Sequence, residues 1–99
     1  MILTGTFQLI GDPSVSVDMV VTAYENAGFS APPQYPDQHW SLQRADTLSI
    51  SLEGVAATGY PLPGGVGAVS QWNFGQGDVP HLRNHATSAA TLYYVLVTG

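Results

Sequence analysis

The sequence contains no cysteine, which excludes disulfides, zinc–thiolate sites and cysteine nucleophiles. It contains no lysine either, and Arg44 and Arg83 are its only formal cations. Nucleic acids are held largely by Lys and Arg that neutralise phosphates, so no nucleic-acid partner is expected. The formal net charge of −5 argues equally against anionic membrane surfaces. No apolar run approaches the length of a membrane helix. The opening Met1-Ile2-Leu3-Thr4-Gly5 lacks a basic start followed by a long apolar run, so no signal peptide is seen. The initiator-like Met1 leads to the expectation of a full-length product, located in a host cytoplasm or in an assembled virion.

Charge of either sign is scarce. Charged residues are 9% of the 99 positions, against roughly 25% in ordinary globular domains. Hydrophobic residues make up 44%, enough for one core. Such a chain either clothes itself in uncharged polar residues or covers part of its surface with partners.

What is present alternates. Leu3, Phe7 and Leu9 share one parity and Thr4, Thr6 and Gln8 the other, the pattern of a half-buried strand. Leu48-Ser49-Ile50-Ser51-Leu52 alternates most cleanly, with the leucines and isoleucine toward a core and both serines toward water or a partner. Trp72 and Phe74 share a strand face, and Val79 to Arg83 reads as a short strand. The last strand, Leu92 to Val97, is apolar on both faces, as suits a central strand covered on both sides. Gly- and Pro-rich stretches separate these segments. A Pro-rich loop or arm is expected at 30–38 and a Gly/Pro-rich loop at 54–67. The expectation is one all-β domain over 1–99, a small β-sandwich, jelly roll or barrel of about six to eight antiparallel strands.

Residues 13–27 are the ambiguous stretch. Val15, Val17, Met19 and Val21 alternate like a strand, while Val17, Val20, Val21 and Tyr24 fit a helix that Asp12 would cap and Gly28 would end. Five β-branched residues between Val15 and Thr22 tip the reading toward a strand.

The densest polar cluster is Asp78, His81, Arg83, Asn84 and His85. On an extended strand His81, Arg83 and His85 share a face. With Asp78 they form the residue set of a metal site, so Asp78, His81 and His85 are weak metal candidates. Arg83 between two such ligands repels a cation, and the glutamate base of a zincin is missing. The run Gly77 to Asn84, followed by a hydrophobic strand, resembles a compressed second cupin motif. Cupins place more residues between the Gly-Asp pair and the histidine, and their His-x-His first motif has no counterpart here. No metal is therefore assigned. Gly-x-Ser-x-Gly does not occur, and Gly64-Gly65-Val66-Gly67 lacks the Lys-Ser or Lys-Thr of a P-loop. No catalytic residue and no cofactor is assigned, and the chain is read as not an enzyme.

Tyr35, Trp40 and Tyr60 lie in or beside the two long loops and are the candidate interface or ligand anchors. In composition and strand patterning the whole chain resembles small bacteriophage virion proteins of the decoration, tail or fibre type. That resemblance implies a non-enzymatic structural protein, a homo-oligomer such as a trimer, meeting other particle subunits. The alternative is a carbohydrate- or ligand-binding β module that uses the aromatic loops.

Overall fold

The computed structural model describes residues 1–54 and 59–98. Eight strands and one short helix are found among them. They are β1 (Ile2–Leu9), β2 (Ser16–Asp18), α1 (Met19–Asn26), β3 (Gln38–Arg44), β4 (Ile50–Glu53), β5 (Tyr60–Pro61), β6 (Val69–Phe74), β7 (His81–Asn84) and β8 (Ala90–Thr98). The strands form two antiparallel sheets, in the orders β1-β8-β3-β6 and β2-β7-β4-β5. This is a small β-sandwich, as the alternating pattern predicts.

β8 organises the first sheet. It pairs with β1 from Ile2↔Val97 to Leu9↔Ala90, and with β3 from Gln38↔Thr98 to Arg44↔Leu92. Its even-numbered residues Ala90, Leu92, Tyr94 and Leu96 are buried between the sheets. They meet Leu3, Phe7 and Leu9 of β1, Trp40 and Leu42 of β3, and Ile50, Leu52 and Leu82 of the second sheet. Phe7 stacks on Tyr94 with ring centres 4.3 Å apart, and Trp40 stands edge-on to the same ring at 5.8 Å. Gly5 makes this possible, because a Cβ there would come within 2.8 Å of the Tyr94 hydroxyl.

Residues 15–27 are divided between the two readings, which corrects the preference for a strand to Ala23. The strand ends at Asp18, after pairing Val17 with Leu82. Asp18, not Asp12, then caps the helix, its Oδ1 accepting the Val21 N–H at 3.0 Å. A helix this short is marginal alone and needs tertiary packing. Met19, Val20, Ala23 and Tyr24 supply it by burying one face, which outweighs the poor propensity of Val20, Val21 and Thr22. Gly28 ends the helix with φ near +82°, as expected.

Residues 30–37 carry no helix or strand, and Gln38 already belongs to β3. The stretch 54–67 is not all loop. Tyr60–Pro61 pairs with β4, and Leu62 is buried with its N–H on the Ile50 carbonyl. Residues 55–58 of that stretch lie outside the described residues.

Arg44 closes one end of the sandwich. It points inward from β3 and is almost fully buried. Its guanidinium donates to the Pro63 and Leu48 carbonyls and to Asp46 Oδ1, the last at 3.2 Å. Asp46 in turn accepts the Leu48 N–H at 3.1 Å and the Thr91 N–H of β8 at 2.9 Å. Burial pushes the Asp46 carboxyl up, but the Thr91 and Leu48 N–H groups and Arg44 together hold it below its ordinary value of 3.8. One ion pair thus ties β3, β8 and the chain around Pro63. Arg44→Ala is expected to lower stability by about 3 kcal/mol, since it leaves carbonyls and a half-covered carboxylate unpaired. Asp46 stabilises the fold fully above its unfolded pKa, and that contribution fades as pH falls through its lower folded value. Losing Arg44 raises the folded value, so the acid-unfolding limb should move to higher pH. Urea titrations across pH read both effects; unchanged stability would contradict the role given to Arg44.

Candidate functional site

The two outer faces of the sandwich differ in chemistry. On the second sheet, β7 presents His81 and Arg83 outward, with His85 just beyond it, opposite Glu53 and Ser51 of β4. The face shared by His81, Arg83 and His85 is as alternation predicts. Arg83 donates from Nε and Nη2 to both oxygens of Glu53, at 3.1 and 3.2 Å, and from Nη1 to the Pro13 carbonyl. The hydrogen bond from Arg83 holds the Glu53 carboxyl below its usual range, against a smaller effect of burial, and the Arg83 charge and the nearby histidines add to it. Both arginines are therefore engaged within the chain, Arg44 with Asp46 and Arg83 with Glu53.

The weak metal set does not assemble. Asp78 Oδ2 accepts the Gly75 N–H at 2.9 Å and closes the 75–78 turn. His85 Nε2 is 2.7 Å from Ser51 Oγ. Among the described residues no three of the His, Asp and Glu side chains converge as metal ligands. Ser51 and His85 have the contact of a nucleophile and base. Ser51, however, is only 4% exposed, so of the two surroundings expected for its side chain, water or a partner, it does not face water.

Two of the three candidate anchors are structural. Trp40 is 2% exposed, and its indole N–H donates to Gln38 Oε1 at 2.8 Å. Gln38, itself buried, passes the chain on by donating to the Asp78 carbonyl. Tyr35 is half-buried against the core, its hydroxyl donating to Asp18 Oδ2 at 2.5 Å. Burial, then the Asp18 hydrogen bond and charge, push the Tyr35 phenol up to about 12. Tyr35 lies in the expected Pro-rich loop, and its Asp18 contact across the fold is invisible in the local sequence. Tyr60 is 45% exposed and edge-on to Trp72 at 4.8 Å.

The outer face of the first sheet has a different character. Three neighbouring ranks cross all four strands: Ile2, Val97, His39 and Asn73; then Thr4, Val95, Ser41 and Gln71; then Thr6, Tyr93, Gln43 and Val69. No Asp, Glu, Lys or Arg occupies any outward position of these strands; Arg44 points inward. Yet Ile2 is 67% exposed and Tyr93 49%, with Val69, Val95 and Val97 also exposed. The apolar residues concentrate on β8 and the polar ones on β3 and β6. His39 Nδ1 and Asn73 Oδ1 are 2.9 Å apart across the β3–β6 pair. They border a shallow depression of about 210 Å³, lined also by Ser41, Gln71, Val95 and Val97. β8 is thus central in its sheet, as expected, but the described residues cover only one of its faces.

No helix among the described residues is long and apolar enough to cross a membrane. No family model matches the chain, and no curated protein or solved structure matches it significantly. The uncharged face of the first sheet is the candidate functional surface.

Proposed function

We propose that this chain is a non-enzymatic assembly protein that associates with copies of itself through the outer face of its first sheet. The carrying observation is that face: broad, open, without one charged side chain, on a molecule of net charge −5. Like-charged copies repel wherever their acids meet. The four strands of the first sheet carry none of the seven acids, so this is where two copies approach at least electrostatic cost. Burying Tyr93, Val95 and Val97 supplies the gain, at roughly 25 cal/mol per Å² of apolar surface. Within this class the reading is a small oligomeric virion component of a bacteriophage, of the decoration, tail or fibre type. Its support is the lysine-free, charge-poor composition together with a sandwich that leaves one sheet face uncovered. Light scattering on the eluting protein should give a mass above 10.5 kDa that rises with concentration. A monomer at every concentration would contradict the proposal.

One observation favours a second reading, a carbohydrate-binding module. Tyr60 and Trp72 form an aromatic pair at the flank where β5 and β6 end the two sheets, and the Tyr60 ring is exposed there. A sugar ring stacks on an exposed aromatic face of this kind. Tryptophan fluorescence that shifts on a glycan panel, and no longer shifts in Tyr60→Ala, is the outcome this reading requires.

A further inference from the structure

We infer that the assembly unit is an isologous pair, in which two first sheets pack face to face about a two-fold axis perpendicular to the strands. The inference rests on the assembly reading above and adds the partner's position. A ring built from heterologous contacts needs two different complementary surfaces on each copy. A single open sheet face offers one surface, which can be covered by one other copy of itself.

The pattern on that face selects the axis. Packed sheets keep their strands aligned within about 30° at about 10 Å separation. A two-fold along the strands, through the middle of the sheet, would lay the apolar β8 stripe of one copy over the polar β3 of the other. A two-fold across the strands lays β8 on β8 and β3 on β3. The apolar stripe of β8 then meets its own copy, and the polar Ser41, Gln43 and His39 of β3 meet theirs.

Passing that axis through the Val95 rank makes the stripe self-complementary. Strand reversal sets Val95 against Val95 of the second copy, and Tyr93 against Val97. The depression bordered by Val97, His39 and Asn73 lies at that end of the stripe. It receives the Tyr93 ring, and its polar lining offers partners for the hydroxyl. The same contact is made twice. Four strands about 4.8 Å apart, with three outward ranks about 6.8 Å apart, give a footprint of about 400 Å². That is about half of the about 800 Å² per partner of a standard interface, so the pair is a weak one that should dissociate on dilution.

The test uses charges placed beside the axis. Val95→Asp and Val95→Arg each set a charge against its own copy, and each alone should weaken association at least about 100-fold. Mixed in equal amounts, the two variants should recover a species of twice 10.5 kDa containing one of each. Ser41→Asp and Ser41→Arg, on the same rank of β3, should behave alike if the Val95 variants lose their circular-dichroism signature. Wild-type association that both charge variants disrupt but mixing does not restore would overturn the two-fold while leaving self-assembly standing. A wild-type trimer would do the same. Unaltered association in the single variants would overturn the face itself, and a monomeric wild type would overturn the assembly reading.

Discussion

β8 must satisfy two masters, and most of the structure follows from that. It lies between β1 and β3, so its backbone is paired on both edges. Its inward residues Leu92, Tyr94 and Leu96 anchor the core, and Tyr94 gathers Phe7, Trp40 and the gap left by Gly5 around one ring. Its outward residues Tyr93, Val95 and Val97 are as apolar as the inward ones, but no element among the described residues lies over them. α1 packs beside β1, and the second sheet covers the other side. The described residues supply a short helix and one partner sheet, and neither lies on that face.

The few charges are used to hold this arrangement rather than to decorate it. Arg44, buried, fastens β3 to Asp46 and through it to Thr91 at the start of β8. Arg83 fastens β7 to Glu53 of β4 and to the Pro13 carbonyl before β2. Each arginine therefore braces one sheet. The acids that remain lie in loops, the helix or the second sheet, and the uncovered face stays neutral. A neutral apolar face on an acidic molecule is costly to leave in water and cheap to bring against its own image.

Much of the fold was legible because strands write their burial at period two. Leu3, Phe7 and Leu9 declare β1, Ile50 and Leu52 declare β4, and the doubly apolar Leu92 to Val97 declares a central strand. The common face of His81, Arg83 and His85 was legible for the same reason. Residues 15–27 were not, because Asp18 could be recognised as a cap only once Val21 was known to turn back on it. β5 escaped notice because two residues have no periodicity, and its pairing depends on β4. The anchors failed where long-range bonds decide: Tyr35 is held by Asp18 and Trp40 by Gln38. The candidate functional surface was half legible. The apolar outward side of β8 is plain in the sequence, while the neutrality of the whole face needs the strand order, which places β1, β3 and β6 beside it.

The proposed assembly requires that another copy cover the outward side of β8 in solution. Small-angle X-ray scattering tests it most directly. A single chain has a Cα radius of gyration of 12.5 Å. Covered faces predict a clearly larger radius at high concentration that falls toward the single-chain value on dilution. A radius near that of one chain at every concentration would contradict the claim.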